Sequence, residues 1–224
     1  MISTQHLNNT QTTGKQQANN RLTINTMSVT LFKNFKLVDL DFKGHQSKMA
    51  FVIDKGLIQW IGPQNKIPKH YHKIKKAIDL KNKLVLPSFI ECHTHTVFAG
   101  SRAEEFELRN QGMSYLEIAQ KGGGILSTMR NTRQSSAAKL MDIAQKRVDN
   151  FFKQGVSTLE IKSGYALDLK NEVKMLEVLK KLKGPRIIST FLGAHARPPE
   201  FSDNESYLQF LAQQVLPIIK KKNL

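Results

Sequence analysis

The sequence predicts an α/β protein: a small N-terminal β module, then strand–helix units that build a parallel sheet. Between Val29 and about Ala77, runs rich in Val, Ile, Phe and Trp alternate with polar residues at near period two. After Leu84, short apolar runs alternate with longer stretches of helical spacing, as in βαβ units. The polar residues able to do chemistry cluster where each apolar run ends, and in a parallel α/β fold those ends share one rim.

Taken in order, residues 1–26 are polar and rich in Asn, Gln and Thr. Such a stretch buries too little apolar area to offset the entropy of ordering, so it reads as a disordered tail. Met1 and Met27 are alternative starts. The β module spans 27–83 and is expected to be sandwich-like. Its runs TLFKNFKLVDLDF and KMAFVIDKGLIQWIG flank the turn FKGHQSK, and Pro63 and Pro68 punctuate its end. Residues 84–224 hold three apolar runs: KLVLPSFIECH, VSTLEIKSGY (156–165) and RIISTFLGAHA (186–196). Helical spacing fills the intervals. SYLEIAQK is one such stretch. Between Ser135 and Gln154, Leu140, Ala144, Val148 and Phe151 recur at three- and four-residue steps, and Gly155 supplies a stop. Leu169–Leu182 and Ser206–Lys221 complete the helices, Gly184 and Pro185 ending the former.

Composition narrows the function classes. With 224 residues and 40% hydrophobic residues the chain can bury a core. It has neither a long apolar run nor a secretory leader pattern, so a membrane span is not expected and a cytoplasmic location is. The single cysteine, Cys92, excludes an intramolecular disulfide framework. A net charge of +16 raises nucleic-acid binding as a class, but 26 of the 34 basic residues are lysine and few aromatics interleave them. Arginine is the residue suited to bidentate phosphate and base contacts, so a solvated lysine-rich surface is the reading taken and no nucleic-acid partner is expected.

The stretch LVLPSFIECHTHTV places His93 and His95 one residue apart at the end of an apolar run. At strand spacing both imidazoles lie on one face and can share a divalent cation, which needs each nitrogen at ~2 Å. Two satisfied histidines are the alternative. Cys92 lies between Glu91 and His93 and points to the opposite face from His93. His70-Tyr71-His72 has the same spacing, but no apolar run precedes it, and it reads as a lysine-rich loop.

A strand-terminal His-x-His resembles the first-strand signature of the amidohydrolase superfamily. The blocks ECHTHTVFAGSRAEEFELRNQGMSYLEIAQKGGGILSTMRNTR (91–133), KSGYALDLKNEVKML (162–176) and TFLGAHARPPEF (190–201) resemble the imidazolonepropionase family, in the family's order. The resemblance runs over about 29–217 and implies a TIM-type (β/α)8 metal-dependent hydrolase barrel, of which 84–224 would be the first three βα units. It implies His93 and His95 as ligands of one zinc or iron ion. Arg102 would bind the substrate propionate, as a guanidinium fork suits a carboxylate; a local ion pair with Glu104 or Glu105 is its alternative. Tyr165 and His195 would contact the substrate ring. The implied partner is one small molecule, 4-imidazolone-5-propanoate, opened by metal-activated water to N-formimidoyl-L-glutamate. A homodimer is implied for the full-length family member.

The sequence also departs from the family. Glu91 stands where a strand-terminal aspartate is common, and the interval between Tyr165 and His195 is short. The family's third histidine ligand, its proton-transfer carboxylate and its aspartate ligand have no counterpart before Leu224, so the catalytic proton-transfer residues are unassigned. The expectation is an incomplete, weakly active or inactive form of the enzyme. The alternatives are another cyclic amide or amidine hydrolase or deaminase, and a non-catalytic remnant.

Overall fold

The structure, a computed structural model, describes residues 29–38, 41 and 44–224, so the expected tail of 1–26 lies outside the described residues. The described chain forms two units, one ending at Ser88 and one beginning at Phe89.

The first unit is built on β1 (Thr30–Val38), β2 (His45–Asp54), β3 (Leu57–Pro63) and β4 (Lys76–Val85). They form one sheet in the order β3-β2-β1-β4, with β4 parallel to β1 and the other pairs antiparallel. Lys55 and Gly56 join β2 to β3 with φ of 49° and 78°. A two-residue hairpin with both central residues left-handed matches the twist of its strands. Successive β2 residues alternate between the faces: Ala50 and Val52 pack with Leu31, whereas Met49 and Phe51 pack with Phe35.

Among the described residues this unit has one sheet, not the two layers a sandwich implies. Ile67, Tyr71 and Ile74, from the segment after β3, cover the Leu31 face instead. That segment carries His70 and His72 in a short 3-10 turn, Lys69–Lys73, where both are exposed. The run KLVLPSFIECH also divides. Leu84 and Val85 finish β4, and a new strand starts only at Phe89. Pro87, which has no N–H to give a ladder, separates the two.

The second unit is a three-stranded parallel sheet, β5 (Phe89–Thr94), β6 (Val156–Lys162) and β7 (Arg186–Thr190), in that spatial order. Between β5 and β6 run α1 (Ala103–Asn110), α2 (Tyr115–Gln120), α3 (Gly124–Gln134) and α4 (Ala137–Lys153). α5 (Leu169–Leu179) links β6 to β7. After β7 come α6 (Asn204–Phe210), a π turn (Leu211–Val215) and α7 (Leu216–Lys222). The final helix is therefore not uniform. Pro217 lacks the N–H that a regular α pattern needs, and the wider turn directly precedes it.

The helices start and stop where the sequence provides caps. Ser136 Oγ accepts the Lys139 N–H at 3.2 Å, and Asp168 Oδ1 accepts the Asn171 N–H at 2.8 Å. Gly155, at φ 100°, ends α4. Leu140, Ala144 and Val148 on α4 and Leu176 and Leu179 on α5 are buried with Leu159 and Ile161 of β6. Each large aliphatic side chain so buried contributes about 1.5–3 kcal/mol. One face of the sheet is thus fixed against helices, which leaves Thr158, Glu160 and Lys162 on the other face of β6. Because the strands are parallel, their C-terminal ends come out together.

Candidate active site

Three chain segments leave that rim. His93 lies near the end of β5, with His95 just beyond it. Ser163-Gly164-Tyr165 follows β6, and the 3-10 turn Gly193–His195 follows β7. Hydrogen bonds tie the last two segments together. The Ser163 N–H donates to Thr190 O at 2.9 Å, and the Leu192 N–H donates to Ser163 Oγ at 3.1 Å. His195 Nδ1 lies 3.2 Å from Gly164 O. Gly164 has φ 95°, and a Cβ there would lie 2.3 Å from Leu192 O and 2.9 Å from His195 Cβ. Only glycine lets the two segments approach this closely.

The rings meet as a result. The His93 and His95 centroids are 5.7 Å apart, edge to face. His95 stacks on His195 at 4.6 Å with planes 10° apart. Tyr165 lies 4.6 Å from His95, 5.2 Å from His195 and 5.8 Å from Phe98. His95 Nδ1 is buried with no hydrogen-bond partner. Burial, then the neighbouring His195 and His93, push the His95 pKa down to about 4. At neutral pH that ring is an uncharged nitrogen donor in need of a partner, which is the state a metal ion requires of a histidine.

Beside the rings is a cavity of about 340 Å³, lined by Phe98, Gly100, Ser101, Arg102, Thr128, Arg147 and Tyr165. Arg102 therefore shares a wall with Tyr165. Burial raises the Tyr165 phenol, and the Arg102 charge opposes that rise. Arg102 Nη2 also pairs with Glu105 at 2.7 Å, the local ion pair that sequence offered as its alternative. The other Glu105 oxygen accepts the Gly124 N–H at 2.8 Å, so the pair ties Arg102 to the glycine turn 122–124.

Several further residues build the site that no motif in the sequence marks. Arg147 Nη1 donates to Thr96 O and Phe98 O, both at 2.8 Å, and its guanidinium lies 3.6 Å over the Phe98 ring. It fixes the segment that follows His95. Glu160 and Lys162, on the open face of β6, pair at 2.5 Å. Burial would raise the Glu160 carboxyl, but hydrogen bonds from Lys162 and Thr190 and the charges of Lys162 and His93 hold it below its ordinary range. Glu172 of α5 is fully buried. The sequence does carry a signal for two of them. Arg147 falls on the Leu140–Ala144–Phe151 stripe and Glu172 on the Leu169–Leu176–Leu179 stripe, each a charge on an apolar face. Cys92 is free and exposed.

No family model matches the chain. It is 59% identical over 178 residues to an imidazolonepropionase of Bdellovibrio bacteriovorus, an alignment covering 78% of this chain and 42% of that protein. An imidazolonepropionase of Legionella pneumophila is 47% identical over 191 residues, covering 83% of this chain and 47% of that protein. This chain is a homologue of the imidazolonepropionases. It spans about half the length of the curated imidazolonepropionases it matches. Among solved structures, N-isopropylammelide isopropylaminohydrolase from Burkholderia multivorans shares the fold at a TM-score of 0.51 and 15% identity, covering 84% of this chain and 44% of that one. No helix among the described residues is long and apolar enough to cross a membrane.

Proposed function

We propose that this chain carries the substrate-recognising half of an imidazolonepropionase site, whose reaction opens 4-imidazolone-5-propanoate at a ring C–N bond to give N-formimidoyl-L-glutamate. The observation that carries this is the meeting of His93, His95, Tyr165 and His195 at one rim, next to a cavity that Arg102 and Tyr165 share. Arg102 holds the propionate, because a guanidinium fork matches a carboxylate. Tyr165 and His195 face the heterocycle with a ring and polar atoms. The sheet β5-β6-β7 with its connecting helices is the first part of a (β/α)8 barrel, which suits its parallel order and the shared C-terminal rim.

His93 and His95 would hold one zinc or iron ion. The unpartnered Nδ1 and uncharged ring of His95 and the proximity of His93 support that assignment. When bound, the ion supplies Lewis-acid chemistry and a more acidic water. The chain's own residues bind and orient the substrate around it.

Among the described residues no three His, Cys, Asp or Glu side chains gather as a metal site. Catalytic zinc ordinarily takes three protein ligands plus water. Titration calorimetry of the chain with an imidazole bearing a propionate side chain tests the recognition half. Saturable binding that is lost with the methyl ester and with Arg102→Gln is expected. Equal binding of acid and ester would remove Arg102 from its role. Assay of ring opening with zinc or iron tests the rest, with metal-dependent ring opening expected.

A further inference from the structure

We propose that Glu172 is a positioning residue: its buried carboxylate clamps the loop 164–167 and so sets Tyr165 and, through Gly164, His195 at the rim. It rests on the proposed function only in treating those two side chains as ligand contacts.

Glu172 is fully buried, in the first turns of α5. Its Oε2 accepts the Gly164 N–H at 3.1 Å, and its Oε1 accepts the Ala166 and Leu167 N–H groups, both at 2.9 Å. Three backbone donors converging on one carboxylate satisfy it without a cationic partner. The loop needs such a clamp. Gly164 and Leu167 both have left-handed backbones, at φ 95° and 61°, and leucine adopts that conformation only when its surroundings impose it. Tyr165 lies between the clamped residues and projects its ring onto His95, His195 and Phe98. The clamp also reaches the next segment, since Gly164 presents its N–H to Glu172 and its carbonyl to His195 Nδ1. From the other side Arg133 Nε donates to Ala166 O at 2.6 Å and lies 2.9 Å from Asp168 Oδ2. A carboxylate on the apolar stripe of α5 thereby sets two rings that belong to different strand ends.

Glu172→Gln changes the chemistry at nearly constant volume. An amide can accept on one side only and turns an N–H₂ towards at least one of the three donors. Leu176→Ala, one turn along the same helix and also buried, serves as the control because it removes apolar packing from α5 while leaving the Glu172 carboxylate in place. The readout is the set of Tyr165 ring resonances, which the surrounding rings displace, followed by NMR in the full chain with labelled tyrosine and assigned through Tyr165→Phe. Both variants are expected to melt at lower temperature. Only Glu172→Gln is expected to move the Tyr165 resonances towards those of an exposed tyrosine and to weaken the imidazole-propionate probe at least about tenfold. Unmoved resonances in Glu172→Gln, or equal movement in both variants, would overturn the proposal. Amide exchange in the parent chain needs no variant. Gly164, Ala166 and Leu167 are expected to exchange as slowly as the core of α5, and exchange at the rate of an open loop would also overturn it. If the parent fails to bind the probe, the functional reading fails, while the resonance and exchange results still decide the role of Glu172.

Discussion

Arg102 faces the cavity it shares with Tyr165 while its Nε and Nη2 both lie 2.7 Å from a single oxygen of Glu105. A ligand carboxylate must either use the rest of the fork or take the place of Glu105. Arg102→Lys keeps the charge and loses the fork. Calorimetry should show the imidazole-propionate probe binding about 10- to 100-fold more weakly, the range of a lost charged hydrogen bond. Stability should change by under ~1 kcal/mol, because the pair is partly solvent-exposed. A large drop in melting temperature with unchanged binding would make the pair structural.

If His93 and His95 hold a metal ion as proposed, that ion would stabilise the folded chain by mass action. Added zinc is expected to raise the melting temperature of the parent and to leave His93→Ala and His95→Ala unmoved. Bound metal measured after dialysis should fall in the same two variants. An equal rise in all three would place the ion elsewhere.

The pH dependence of the metal-free chain follows from His95. Its folded pKa is about 4, against 6.5 for the free side chain. Between these values the unfolded chain binds the extra proton, so stability present above pH 6.5 is lost as the pH falls towards 4. The ring is only half-buried, which limits the size of the effect. Denaturant titrations at pH 7 and pH 4.5 should show a lower midpoint in acid for the parent and a smaller drop for His95→Gln.

Gly164→Ala should be costly. It sets a Cβ 2.3 Å from Leu192 O at a φ of 95°. A left-handed non-glycine residue alone costs about 1–3 kcal/mol, and the clash adds to it. Urea unfolding measures the loss, and probe binding should fall with it because the segments carrying Tyr165 and His195 are forced apart. Gly184→Ala is the comparison. Its φ is 113°, but the nearest contact a Cβ would meet is 3.9 Å away, so it should destabilise less and leave binding intact.

Much of the molecule was legible in residue order. Period-two runs, helical stripes and caps such as Ser136 and Asp168 are local signals, because they concern neighbours within one element. The blocks around His93, Tyr165 and His195 pointed to the imidazolonepropionases, and the homologues share that name. The positions of β4 and β5 were less legible. One apolar run feeds both, and only pairing partners decide that Val85 joins β1 while Phe89 joins β6.

By itself, then, the sequence determined the element types, the parallel α/β pattern and which side chains end each apolar run, since periodicity and turn chemistry act over a few residues. Only the tertiary structure decided that the His95 and His195 rings stack, that Arg102 rests on Glu105, and that Arg147 and Glu172 turn their charges inward to hold backbone. Those contacts join residues up to 100 positions apart, as His95 and His195 are. The stacking of His95 on His195 depends on the close approach of segments at Gly164, which no local pattern records, whereas for Arg102, Arg147 and Glu172 the structure chose among partners the sequence left open.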